Sequence, residues 1–320
     1  MSTSTTGRHR TDGTAPDGSR VTPRPPRRRS AQWAAWGFLA PVTVYLVAFY
    51  AYPLYRNLDL SLRNYTVASF VNGGAPFSGL DNYRRVVADP TFWPALGHTL
   101  TFTVASIAVQ FSLGLALAVF FARSFPLSTF LRALFLVPWL LPLIVSASTW
   151  SWMMNSDSGV VNYALRTLHL PTVDWLTSPQ WALPAVIVAN IWIGIPFNLV
   201  VLYSGLQGIP QEVYEAAALD GAGGWQTFWR ITFPLLRPVS AITVLLGLVY
   251  TLKVFDLIWI MTKGGPSDAS TTFATWSYQQ SFGSLLPQFG PGAAISTLLI
   301  LMALACGLLY LRLQNRSQNP

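Results

Sequence analysis

Charge is what this chain has least of. Only 10% of its 320 residues are charged while 52% are hydrophobic, and so few charges cannot wet the surface of a water-soluble domain of this length. The chain therefore belongs in a bilayer. Lysine is scarcer still: Lys253 and Lys263 are the only two, and neither closes a glycine-rich phosphate loop of the form GxxxxGK[ST]. Hydrolysis of ATP by that loop is excluded for this chain. One cysteine, Cys306 in an apolar run, rules out an intrachain disulfide and a cysteine-built metal site. The three histidines are dispersed, with His9 near the start, His98 inside an apolar run and His169 between two such runs. They offer no metal cage, and no Ser-His context for chemistry within the membrane is evident.

The charge that is present is lopsided. Of the net +8, seven arginines (Arg8, Arg10, Arg20, Arg24, Arg27, Arg28 and Arg29) precede the first apolar run, against only Asp12 and Asp17. This basicity belongs to a tail beside a membrane rather than to a nucleic-acid-binding surface. Residues 1–30, rich in Ser, Thr, Gly, Pro and Arg, bury too little to offset the entropy of ordering and read as a disordered cytoplasmic tail.

Six apolar runs of spanning length follow, at 33–52, 96–121, 130–153, 181–203, 239–261 and 293–311. The expectation is an all-α membrane protein with six transmembrane helices over 31–315, the first of them uncleaved, and a short C-terminal tail at 316–320. Trp33, Trp36, Tyr50, Tyr52, Trp93, Trp150, Trp152 and Trp181 lie near the ends of these runs, where amphipathic rings sit among lipid headgroups. An even number of spans puts both termini on one side. If that side is cytoplasmic, thirteen Lys and Arg face inward and six outward, and the excess is due to the tail. The segments 56–95, 155–180 and 263–290 are then external, and none is long enough for a sizeable independent domain.

This topology puts residues 204–238 on the cytoplasmic side, including EAAALDG at 215–221 and ITFPLLRP at 231–238. Pro210 suits a first helical position, Glu212 and Glu215 suit the early turns, and Gly221 suits the exit, so a short helix over 210–220 is expected. Val213, Ala216 and Ala217 would share one face. After Gly223 and Gly224, a second short helix over 225–233 would return to the membrane at Pro234 and Pro238. On these grounds the segment is a cytoplasmic connector, either a passive linker or a docking element. In the fifth run Lys253 and Asp256 are three residues apart, on one helical face, where they could pair. They are open to three readings: a polar lining of a path, a structural salt bridge, or a proton relay in an ion-coupled transporter.

The Glu-Ala-Ala triplet, Gly221, nine intervening residues, Ile231 and Pro234 resemble the EAA loop of bacterial ABC importer permeases, with Phe233 where leucine is more usual. LFLVPW at 134–139, NIWIGIPFN at 190–198, GLQGIPQEVYEAAALDGA at 205–222 and KVFDLIWIMTKGGP at 253–266 extend the resemblance over about residues 33–315, toward the carbohydrate-uptake permeases of the maltose and glycerol-3-phosphate kind. The resemblance implies a type I ABC importer permease fold in a bacterial cell membrane, with no catalysis in this chain. It implies partners too: a second permease subunit, two copies of an ATPase subunit that bind ATP and Mg, an extracytoplasmic solute-binding protein, and membrane lipid, but no nucleic acid. It assigns Glu215, Ala216, Ala217 and Gly221 to the ATPase interface. Polar and aromatic groups of spans four and five are the candidate path for a sugar, oligosaccharide or polyol: Asn190, Trp192, Asn198, Tyr250, Lys253 and Asp256. An ABC permease for a non-sugar solute and an ion-coupled secondary transporter are the alternatives.

Overall fold

The computed structural model describes residues 29–123, 125–283 and 285–318; the tail expected over 1–30 lies outside them except for its last two residues. The chain divides into two units, one ending at Pro53 and the other starting at Leu54. In the first unit, α1 (Arg29–Leu46) passes through a π-helical turn at Val47–Ala51 into the start of α2 (Tyr52–Ser61). Its large apolar residues, among them Trp36, Phe38, Phe49 and Tyr50, are exposed in this isolated chain. Such a surface suits hydrocarbon. The continuous apolar stretch Trp36–Ser61 is longer than the run at 33–52, and Asp59 near the end of α2 pairs with Arg56 of the same helix at 3.0 Å and with Arg63 just beyond it at 2.7 Å.

The second unit continues with two short helices, α3 (Val67–Asn72) and α4 (Asp81–Ala88), and then a long one, α5 (Phe92–Phe121). A bent pair, α6 (Ser128–Leu140) and α7 (Leu143–Met153), leads through α8 (Val160–Thr167) to α9 (Ala182–Gln207). Three pieces come next, α10 (Gln211–Leu219), α11 (Gly224–Thr227) and α12 (Phe233–Leu252). The chain closes with α13 (Asp256–Met261), α14 (Phe273–Tyr278) and α15 (Phe289–Gln318). The all-α expectation holds, with five unbroken helices of spanning length among the described residues and a sixth if the bent pair counts as one span. The helix α15 runs past residue 316, so the expected C-terminal tail is helical as far as Gln318.

Three expectations need correction. The run at 130–153 is not one helix: α6 and α7 meet at 94°. Pro142 has no backbone N–H and forces Leu141 into an extended conformation (ψ 140°), which ends α6. The run at 239–261 is also broken, because α12 stops at Leu252 and α13 starts at Asp256. No proline or glycine marks that break, so hydropathy reads straight through it. Conversely, the expected return at Pro234 and Pro238 does not interrupt the chain. A π-helical turn at Phe228–Thr232 joins α11 to α12, making one helix of 29 residues from Gly224 to Leu252.

The helix α5 touches all three buried clusters. At one end Val86, Phe92, Phe273, Trp276 and Ile295 pack together; Phe102 joins Ala147, Ala189, Leu257 and Ile258; at the other end Ala118 and Phe121 meet Leu199, Leu202 and Leu236. Its buried stripe of Thr99, Thr103, Ser106, Gln110 and Gly114 is small or polar rather than bulky. Small residues let two backbones approach where lipid supplies no hydrophobic drive for helix association. Gly114 lies so close to α9 that a Cβ there would overlap the Asn198 side chain.

Candidate functional site

The stripe on α5 leads to a cleft of about 560 Å³ enclosed by α5, α6, α7, α9, α12 and the α12–α13 break. Four of the six candidate path residues border it: Asn190, Tyr250, Lys253 and Asp256. Asn190 is only 7% exposed, and its Nδ2 has no hydrogen-bond partner although its backbone carbonyl accepts from Gln110 Nε2 at 2.8 Å. An unpaired amide N–H in such a place is costly unless something enters to accept from it. Aromatic rings form the walls. Phe197 sits edge-on between Trp139 (centroids 6.2 Å apart) and Tyr250 (6.1 Å). Lys253 Nζ lies 4.9 Å from the centre of the Tyr250 ring, a cation–π placement that holds the cation at the edge of the cleft.

The break at residues 253–255 changes what Lys253 and Asp256 can do. Lys253 caps the C-terminus of α12 and Asp256 starts α13, so the two do not share a helical face. The ion pairs among the described residues involve only Arg56, Arg63 and Arg84 with Asp59 and Asp81, and the expected Lys253–Asp256 pair is not among them. Both charged side chains are exposed at the cleft instead.

Trp192 and Asn198 do not line the cleft. The Trp192 ring packs edge-on against Trp150 at 5.9 Å. Asn198 is buried at the Gly114 contact and donates to the Gly194 carbonyl at 2.9 Å. The cleft also includes residues that the sequence reading passed over, notably Gln110, Trp139, Phe197, Thr251 and Phe255. Gln110 alone carried a usable signal, as an amide in the middle of an apolar span.

On the segment at 204–238, α10 begins after Pro210, which stands one position before the helix rather than inside it, with ψ 139°. Gly221 leaves the helix as expected, at φ +73°. Ala222 N–H donates to the Ala217 carbonyl at 2.9 Å and Gly221 N–H to the Ala218 carbonyl at 3.1 Å. These are the two bonds of a Schellman ending, which needs a left-handed residue at that position. Val213, Ala216 and Ala217 lie within one arc of α10, but the chain does not bury all three. Ala217 is buried by the chain itself and Val213 half-buried, whereas Ala216 is exposed. Tyr214 faces inward too, where its Oη accepts from Thr232 Oγ1 at 3.3 Å. The outward side carries Glu212, Glu215, Ala216 and Leu219, with Leu219 90% and nearby Trp225 76% exposed. Glu215 Oε1 accepts from Gln211 Nε2 at 3.0 Å, so its carboxylate is held in place but open to the outside.

Comparison with known proteins places this architecture. A trehalose/maltose transport system permease protein of Thermococcus litoralis is 38% identical over 237 residues, covering 74% of this chain and 79% of that protein. A sulfoquinovosyl glycerol transport system permease protein of Agrobacterium fabrum is 32% identical over 275 residues, with 86% and 88% covered. Among solved structures, a bacterial alginate ABC transporter, crystallised with its alginate pentasaccharide-bound periplasmic protein, matches 91% of this chain and 96% of its own with a TM-score of 0.78; at 22% identity this speaks for the fold. Residues 110–318 match the family model for the inner membrane component of binding-protein-dependent transport systems. That stretch holds both the cleft and α10, and the chain belongs to this family of membrane permeases.

Proposed function

We propose that this chain is the permease subunit of an ATP-driven importer and that it conducts a carbohydrate, whether sugar, oligosaccharide or polyol, through the cleft beside Asn190. The observation that carries the reading is the cleft itself: an unpaired buried amide, a lysine and a carboxylate set among aromatic walls. Amide and charged groups hydrogen-bond hydroxyls, and flat rings stack on the C–H faces of a pyranose. A few placed polar groups in an aromatic lining are the usual composition of a small-molecule site. The relatives named for trehalose, maltose and sulfoquinovosyl glycerol support that substrate class.

On this reading Asn190, Tyr250, Lys253 and Asp256 contact the solute. The chain performs no chemistry on it. ATP and Mg bind to two copies of a separate ATPase subunit, which dock on the outward side of α10, where Glu215, Ala216 and Leu219 are displayed and Gly221 fixes the helix end. A second permease subunit completes the path, and an external solute-binding protein delivers the solute, as the binding-protein-dependent family name supports. Both termini lie on the cytoplasmic side, in keeping with the arginine-rich start.

The test is reconstitution. The chain is expected to co-purify with an ATPase subunit, and proteoliposomes holding the assembled complex and its solute-binding protein are expected to take up a carbohydrate only when ATP is present. Uptake driven by an ion gradient through this chain alone would overturn the reading.

A further inference from the structure

Aromatic rings do not stop at the cleft. Phe255, which forms part of its wall, lies nearly parallel to Trp259 with centroids 5.7 Å apart, and Tyr278 packs on both at 4.7 and 4.8 Å. From Tyr278 the contacts run to Phe282 at 5.4 Å, then to Phe289 at 5.9 Å, and from Phe289 to Tyr65 at 6.1 Å. Residues from four separate stretches of chain thus form an unbroken series of rings, each within ordinary aromatic contact of the next.

Core packing accounts for only part of this series: Tyr65, Phe255, Trp259 and Phe289 are half-buried, but its middle members are open. The buried aromatic core of the same region consists of Phe92, Phe273 and Trp276, all within the cluster around Ile295. By contrast Tyr278 is 36% and Phe282 65% exposed. They occupy an irregular stretch, since α14 ends at Tyr278 and the chain makes a π-helical turn over Gln279–Gly283, a distortion common at functional positions. That stretch is pinned, because Gln279 Nε2 donates to the Lys263 carbonyl at 3.0 Å and the Gln288 N–H to the Gln280 carbonyl at 2.9 Å. Tyr278 and Phe282 are therefore displayed from a stretch tied down at Gln279 and Gln280.

We propose that Tyr65, Phe289, Phe282, Tyr278, Trp259 and Phe255 form a stacking track along which sugar rings move toward the cleft. The proposal rests on the carbohydrate reading above and extends it to a second set of residues. An aromatic face attracts the C–H face of a pyranose while making few demands on hydroxyl stereochemistry. It therefore retains a ring without locking its orientation, as a path requires and a binding site does not. The chemistry selects ring-bearing solutes over linear polyols, and longer oligosaccharides would touch several rings at once.

The experiment compares Tyr278→Leu, Phe282→Leu and the pair with the aromatic replacements Tyr278→Trp and Phe282→Tyr, in proteoliposomes containing the whole transport complex. Leucine keeps an apolar side chain but removes the ring. The paired leucine variant is expected to lose about tenfold in the rate of oligosaccharide uptake, with a smaller loss for a monosaccharide. The aromatic replacements and a Leu285→Ala control are expected to transport like the parent. ATP hydrolysis stimulated by the solute-binding protein is expected to stay unchanged in all variants. Wild-type uptake rates in the leucine pair would overturn the track. So would a loss equal in the leucine and aromatic variants, or a parallel fall in stimulated ATP hydrolysis, which would make the rings a docking surface. Failure of the unmodified complex to take up any carbohydrate would instead overturn the carbohydrate reading itself, so the two outcomes are separable.

Discussion

The carboxamide of Gln110 fills the space that a side chain on Gly194 would need: Nε2 donates to the Asn190 carbonyl at 2.8 Å, and a Cβ on Gly194 would overlap the amide group. This one contact joins α5 to α9 beside the cleft and holds the backbone that carries Asn190. Gly194→Ala is expected to push the amide off the carbonyl and cost about 1–3 kcal/mol, seen as a lower thermal midpoint in detergent. Because a flexible side chain is what yields, Gln110→Ala in the same protein should recover part of the loss. Two independent, additive losses would show that the glycine is there for another reason.

Gly114 tests the same seam where nothing can yield. A Cβ there would overlap Asn198 Cβ and come within 3.1 Å of backbone atoms of Asn198 and Leu199. Only separation of α5 from α9 makes room. Gly114→Ala is therefore expected to be worse than Gly194→Ala, costing about 3 kcal/mol or more, with no rescue by a second substitution. Gly223→Ala, which has no heavy atom within 4 Å of its would-be Cβ, should change the midpoint little. A stable Gly114→Ala protein would mean that the two helices are less tightly packed than this structure has them.

The spans themselves were legible because a bilayer demands long apolar runs, and the ending at Gly221 was legible because only a left-handed residue satisfies those carbonyls. The cleft was only half legible. Asn190 and Asn198 lie on the same helix and both are buried, yet only Asn190 borders the cleft, because the α5 residue near Asn198 is Gly114, which lets the backbones close. Which asparagine borders the cleft is thus decided by a residue some eighty positions earlier. Trp192 turns to Trp150 for the same kind of reason, a partner on another helix. The bend at Pro142 has a local mark in the sequence, a proline inside an apolar run, whereas the break after Leu252 has none.

The outward side of α10 yields a prediction that separates docking from folding. Glu215 is exposed and bonded only to Gln211, so Glu215→Lys should leave insertion and the thermal midpoint unchanged. On the proposed docking role it should cut ATP-dependent uptake by about tenfold or more, since a charge reversed at an interface is repelled rather than merely lost. Ordinary uptake by Glu215→Lys would remove this carboxylate from the interface.

Gly221 acts through the backbone alone, because a Cβ there would meet nothing within 4 Å and the difficulty is its φ of +73°. Gly221→Val should cost about 1–2 kcal/mol locally, read as faster amide exchange at Ala222, whose N–H closes α10 on the Ala217 carbonyl. Gly221→Asn should be milder, since a short polar side chain tolerates this conformation. Equal exchange in the two variants would show that the turn does not depend on the left-handed residue.

Lys253 and Asp256 line one cleft from opposite sides of a helix break, and the partner that the structure gives Lys253 is the Tyr250 ring at 4.9 Å. Two expectations for stability follow, both measured as thermal midpoints in a double-mutant cycle. Lys253→Met and Asp256→Asn should be additive within about 0.5 kcal/mol, because neither removes a partner of the other. Lys253→Met and Tyr250→Leu should be coupled by about 0.5–1 kcal/mol, the range for a partly exposed cation over a ring. The reverse pattern, coupling to Asp256 and none to Tyr250, would mean that α12 and α13 join into one continuous helix in the membrane, bringing the two charges onto one face as hydropathy alone suggests.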